Sequence, residues 1–164
     1  MAKIVISPYA NTLRWDKSHL PNPKNYPHWV ELVKLMRDGG HEVIQIGSGK
    51  ATQIIGTNGF LYNLKMSEIE ELIRKVDCWV SVDSFLPHLC AYHKLKKGVV
   101  LWGQSDPNIF GYSRNTNLLK DRSYLREKQF WIWEQCDYNA DAFVSAQDAY
   151  RAVLEILAGR RVSP

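Results

Sequence analysis

The segment Asp83-Ser84-Phe85-Leu86-Pro87-His88 sets a carboxylate, a hydroxyl and an imidazole at what reads as a strand-to-helix junction. Free N–H groups at a helix start carry partial positive charge, so such a junction can hold a phosphate or diphosphate. Ser84 would add a hydrogen bond, and Asp83 would orient the loop or accept from a ribose or sugar hydroxyl. The same residue types also cap helices with no ligand involved, and the local sequence leaves both readings open. A second candidate is Lys24, in the turn-rich stretch Asn22-Pro23-Lys24-Asn25-Tyr26-Pro27. Its ammonium can neutralise a diphosphate as a point charge, although a loop lysine is ordinarily just solvated. Asp83 and Asp106 both follow strand-like runs. There the two carboxylates could share a metal, which two residues signal only weakly.

Other chemistries find no support. There is no G-x-G-x-x-G and no Walker lysine motif, which weighs against dinucleotide dehydrogenases and P-loop enzymes. His19, His28, His41, His88 and His93 lack metal-ligand spacing, and no Ser/His/Asp or Cys/His arrangement is readable. His88, one turn into its helix, reads as a buried, hydrogen-bonded structural residue. Cys78, Cys90 and Cys136 are odd in number and widely spaced, so no disulfide framework is expected. No apolar run approaches the length of a membrane span, and the N-terminal apolar stretch is too short for a signal peptide. The reading is a protein of the reducing cytoplasm. The formal charge of +4 is too mild to indicate nucleic-acid binding. Phe130, Trp131 and Trp133 read as core or interface rather than a base-stacking surface.

These residues need elements to position them. Lys3–Ile6, Glu42–Ile46, Phe60–Leu64, Cys78–Val82, Gly98–Trp102 and Leu118–Leu119 read as strands. Between them, Trp29, Leu32, Val33 and Met36 recur at helical spacing, with Pro27 in the first turn and Gly39-Gly40 at the end. Ser67-Glu68-Ile69-Glu70 reads as a capping box ahead of Leu72, Ile73 and Val76. Pro87–Leu95 is a further helix, and Gly103–Asn115 a loop. Ser145 caps a last helix with Ala149, Val153, Leu154 and Leu157 inward. At 164 residues with 45% hydrophobic content, this is one domain. Strands alternating with helices imply an α/β fold: a single Rossmann-like, doubly wound parallel sheet covered on both faces. With strand order 3-2-1-4-5, ligands would bind beyond the carboxyl ends, between the loops after Ile6 and Val82. The loops Ser7-Pro8-Tyr9, Gly47-Ser48-Gly49, Asp83-Ser84 and Gly103-Gln104-Ser105-Asp106 therefore define the expected site.

In order and spacing, five stretches resemble glycosyltransferase family 9, the lipopolysaccharide heptosyltransferases. They are Ile6-Ser7-Pro8, Lys24-Asn25-Tyr26-Pro27, Gly40–Gly47, Val82–Ala91 (with Asp83-Ser84-Phe85 and His88-Leu89-Cys90-Ala91) and Trp102–Pro107. The similarity is to the C-terminal, nucleotide-sugar-binding half of that family's GT-B fold and covers roughly residues 3–112. It implies that Lys24 contacts donor phosphate, that Ser84 and the following amides hold the diphosphate, and that Asp83 contacts the donor sugar or shapes its loop. Ser7, Tyr9, Phe85, His88, Gly103 and Gln104 would line the same crevice; the family's base lies in its N-terminal half, so a single-domain transferase would use Asp83 or Asp106 as base. Phe85 stands where the family has glycine, and the family's acceptor-binding N-terminal half has no counterpart in these residues.

The resemblance implies a protein that binds a nucleotide-diphosphate sugar and transfers the sugar to a hydroxyl acceptor. No cofactor or metal is expected, because Lys24 and helix-end amides would offset leaving-group charge. A homodimer or partner chain would complete the acceptor site. The acceptor would be a saccharide, or less directly a hydroxylated base on nucleic acid. Two alternatives stand beside it: a non-catalytic nucleotide or nucleotide-sugar binding module, and an assembly subunit with a vestigial pocket that docks through residues 130–133.

Overall fold

A computed structural model describes residues 1–10, 22–130 and 136–161. The strands are β1 (Lys3–Ser7), β2 (Glu42–Gly47), β3 (Gly59–Tyr62), β4 (Cys78–Val82), β5 (Val99–Trp102) and β6 (Thr116–Leu119). They form one sheet in the order β3-β2-β1-β4-β5-β6, with every pairing parallel. The expected order 3-2-1-4-5 is present, extended by β6. Order reverses between β1 and β4, where Ser7 lies in register with Ser81.

Residues alternate along each strand, so one sheet serves two cores. Ile4, Ile6, Val43, Val80 and Leu101 face α1 (Trp29–Asp38) and α5 (Ala146–Arg161). Val5, Ile46, Trp79, Val100 and Trp102 face α2 (Met66–Lys75) and α3 (Phe85–Tyr92). Two apolar layers bracket the sheet, as a parallel arrangement requires. A short α4 (Pro107–Phe110) falls inside the stretch expected to be loop; Asp106 caps it and Pro107 fills its first position.

Trp29, Leu32, Val33 and Met36 are all buried, as their spacing indicates. Gly40 ends α1 with φ of +83°, a conformation that favours glycine, and His41 N–H donates to Met36 O at 3.1 Å. Several details differ from expectation: α1 starts at Trp29, so Pro27 lies ahead of its first turn, and β3 is Gly59–Tyr62 rather than Phe60–Leu64. Ser67 does not lead a capping box: α2 starts at Met66, and Glu68 Oε2 accepts from Lys65 N–H at 2.7 Å. Helix α3 begins at Phe85, two residues before Pro87, because proline is tolerated throughout a first turn whose N–H groups lack helical partners. Leu154 is 41% exposed. The buried stripe of α5 runs instead through Ala149, Ala152, Val153, Ile156 and Leu157. Among the described residues no helix is long and apolar enough to cross a membrane.

Candidate functional site

Because all strands run the same way, the ends of β1, β2, β4 and β5 meet at one edge. On the β1–β2–β3 side, that edge opens into a cleft of about 540 Å³. Its walls come from the end of β1 (Ser7, Tyr9), the loop after β2 (Ser48, Lys50, Thr52), the end of β3 (Leu61, Asn63, Leu64), α2 (Met66, Ile69) and Phe85. Buried Gln45 on β2 holds the loop beneath it: its amide donates to Thr52 O at 2.8 Å and accepts from Ile54 N–H at 2.6 Å. Tyr9 Oη and Thr52 Oγ1 lie 3.5 Å apart.

The turn bearing Lys24 is tied down at several points. Asn22 Oδ1 accepts from Lys24 N–H at 2.9 Å, and Asn25 Oδ1 accepts from Ala10 N–H at 3.0 Å. Tyr138 donates to Asn25 O at 3.0 Å, while Tyr26 donates to Val144 O at 2.9 Å. Burial, reinforced by the charges of Glu31 and Asp148, pushes the Tyr26 phenol above its ordinary range, so it stays a donor. This anchoring sets Lys24 Nζ 3.0 Å from Asp83 Oδ2, with both side chains mostly out of solvent. Three ammonium protons allow Lys24 to keep Asp83 and still meet a phosphate.

Ser84 precedes α3, yet its side chain accepts no capping bond. It lies 3.1 Å from Ser81 Oγ, whose own proton goes to Val82 O at 2.8 Å; the Ser84 proton is therefore the one shared between the hydroxyls. Pro87, third in α3, has no N–H. The first-turn donors are the Phe85 and Leu86 amides.

The β4–β5 side is filled. Lys24, Asp83, Gly103, Gln104, Ser105, Arg126 and Cys136 surround a hollow of only about 10 Å³, room for about one water. Gln104 donates to Asp137 O at 2.7 Å and accepts from the Cys136 thiol at 2.6 Å. Burial raises that thiol's pKa, which keeps it a neutral donor. Gly103 serves packing: a Cβ there would lie 2.6 Å from the Phe143 ring. Asp106 accepts from Asn108 N–H at 2.9 Å and from both Arg122 nitrogens, at 3.2 and 2.6 Å. The Arg122 guanidinium holds the Asp106 carboxyl below the usual carboxylate range.

The expected residues thus separate into groups. Ser7, Tyr9 and Phe85 line the open cleft, while Lys24, Asp83, Gly103 and Gln104 line the hollow. Asp106 and His88 line neither. Read in sequence as a weak metal pair, Asp83 and Asp106 are instead each joined to a cation. His88 is exposed, not buried, and its Nδ1 lies 2.7 Å from Tyr112 Oη. Phe130 is 82% exposed against Phe110; Trp131, Trp133 and His19 fall outside the described residues. Sequence reading missed Gln45, Thr52, Asn63 and Met66. Only Gly47-Ser48-Gly49, marking the end of β2, pointed toward them.

No family model and no curated protein matches the sequence. Solved structures do. The chain is similar to the dodecameric iron-containing heptosyltransferase TibC in complex with ADP-D-beta-D-heptose, at TM-score 0.63 and 16% identity over 99% of this chain and 46% of that one. A second structure of TibC, from enterotoxigenic E. coli H10407, gives TM-score 0.58 and 15% identity over 99% and 47%. E. coli heptosyltransferase WaaC with ADP gives TM-score 0.63 and 17% identity over 94% and 44%. The chain spans less than half the length of these structures. The resemblance to heptosyltransferases read from the motifs is matched by a likeness of fold: an all-parallel, Rossmann-like α/β sheet corresponding to part of a GT-B enzyme.

Proposed function

We propose that this chain binds a nucleoside-diphosphate sugar at the carboxyl edge of its sheet and presents the sugar for transfer to a hydroxyl acceptor. The observation that carries the reading is the cleft of about 540 Å³ beside the β1–β4 reversal, opening onto the first residue of α3. Rossmann-like sheets bind ligands at that place. Solved heptosyltransferases of similar fold hold ADP and ADP-heptose.

In this reading the nucleoside occupies the open cleft, with Ser7 and Tyr9 beside it. The diphosphate meets the Phe85 and Leu86 amides and Lys24, and the Ser84 hydroxyl would turn its proton from Ser81 to a phosphate oxygen. Two positive sources at the diphosphate would offset the charge that grows on the leaving nucleotide as the sugar departs. The sugar would then lie at the seam beside Asp83, outside the filled hollow that Gly103 and Gln104 line. Of the two candidate bases, Asp83 is favoured, because it faces the hollow while Asp106 is tied to Arg122 and lines neither cavity. A base must come within about 3 Å of the acceptor hydroxyl, so the acceptor wall would come from a second copy or another chain. A saccharide acceptor is the favoured class.

One observation favours binding without transfer: both candidate carboxylates are already engaged by cations. Calorimetry with ADP-, GDP-, UDP- and dTDP-sugars tests binding, and nucleotide release on adding acceptor saccharides tests transfer. Binding of at least one donor is expected. No heat with any of them would end the proposal.

A further inference from the structure

We infer that the Phe85 ring is the platform on which the nucleobase of the bound nucleotide stacks. The inference rests on the nucleotide-binding reading above and adds where in the cleft the base lies. Among the residues at the start of α3, Phe85 is the one that lines the large cleft. Asp83 faces the hollow, the Ser84 hydroxyl turns to Ser81, and Leu86 and Pro87 are buried.

Phe85 is 37% exposed, and among the described residues no other ring packs against it. Leaving much of an aromatic side chain uncovered forgoes favourable burial, which a flat ligand can recover. Other apolar walls of the same cleft are Ile46, Leu61, Leu64, Met66 and Ile69. Met66 is 56% exposed, so a flexible thioether is available in the same cleft as the Phe85 ring. The polar lining of Ser48, Lys50, Thr52 and Tyr9 belongs to the loops after β2 and β1. A nucleotide with its phosphates at the Phe85 and Leu86 amides would place its ribose among those polar groups and its base on the apolar wall. Stacking accepts every base, because each has a π-face.

Titration calorimetry of the full chain and of Phe85→Ala, Phe85→Leu and Phe85→Trp, with ADP, GDP, UDP, dTDP and inorganic pyrophosphate, decides this. Thermal unfolding confirms that each variant is folded, as a half-exposed first-turn position should allow. Alanine and leucine are expected to weaken all four nucleotides by about tenfold or more, while tryptophan retains binding. Pyrophosphate affinity should not change in any variant. Equal or tighter nucleotide binding by Phe85→Ala would overturn the inference by showing that the ring obstructs the cleft. An equal loss for pyrophosphate would overturn it by showing that the substitution disturbs the amides. A loss confined to sugar-bearing donors would assign the ring to the sugar and likewise refute it. If the unmodified chain binds no nucleotide, the functional reading fails first and takes this one with it.

Discussion

The two halves of the sheet's carboxyl edge share one backbone plan and differ in what fills it. Beside β4 and β5, side chains saturate one another: Asp106 with Arg122, Gln104 with Cys136, and Gln129 with Gln104 O and Arg126 O at 3.0 and 2.8 Å. Beside β1 and β2, a space of about 540 Å³ stays open, and the buried Gln45 that braces its loop lies below the surface. A buried polar network costs least when every member is satisfied, so the β4–β5 side behaves as structure. The other side keeps donors and apolar walls directed at a void, which is the signature of a binding cleft. The Lys24–Asp83 pair sits at the seam: Lys24 lines the hollow and its neighbour Asn25 lines the cleft.

That contrast can be broken at several points. The largest effect belongs to Gly103→Ala, which drives a methyl to within 2.6 Å of the Phe143 ring. It should destabilise the fold by about 1–3 kcal/mol in chemical denaturation while leaving the affinity of the folded fraction for nucleotide intact. If affinity fell and stability held, Gly103 would be approaching a ligand rather than an aromatic core.

Asp106→Asn comes next, with an expected loss of up to about 1 kcal/mol from the part-exposed pair with Arg122, because asparagine caps α4 as well as aspartate does. Arg122 lowers the folded-state pKa of Asp106, so the stability it contributes is present above the ordinary carboxylate range, near pH 4. It is lost as pH falls through the folded value. Unfolding of the wild type and the variant should therefore converge on acidification, and a gap that widened at low pH would be inconsistent with this pairing.

Lys24→Ala probes the seam. Loss of one charge-assisted contact should weaken nucleoside diphosphates by roughly tenfold, with a smaller effect on nucleosides lacking phosphate. An equal effect on both ligands would mean that Lys24 merely holds its turn. The smallest change is expected for Tyr9→Phe, because the Tyr9–Thr52 approach of 3.5 Å is too long to contribute strongly. A shift of a few tenths of a kcal/mol in stability or affinity is the expected scale, readable by paired melts and titrations.

Much of the architecture was legible from residue order alone. Apolar runs alternating with 3.6-period segments dictated a parallel sheet, and the strand-end rule singled out Ser7, Tyr9 and the Asp83–Phe85 junction. Pro87 misled the helix boundary because proline marks a first turn without specifying which residue of that turn it occupies. Leu154 misled through its type: apolar character suggests burial, but the stripe of α5 was already complete without it. The Asp106-Pro107 pair did carry a helix-start signal, a capping carboxylate followed by proline at the first position. The cleft's far wall was the least readable part. Thr52, Asn63 and Met66 arrive there through separate loops, and Gln45 looks in sequence like an ordinary polar residue on a half-buried strand. Their convergence is a property of the sheet's crossovers, which no short window of sequence contains.

Crystals of the chain grown or soaked with a nucleoside diphosphate give the most direct trial of the central claim. Density for the nucleotide should fill the space between Tyr9, Met66 and Phe85, with its terminal phosphate within hydrogen-bonding distance of the Phe85 and Leu86 amides. A nucleotide seated elsewhere on the surface, or a cleft that stays empty at saturating ligand, would contradict it.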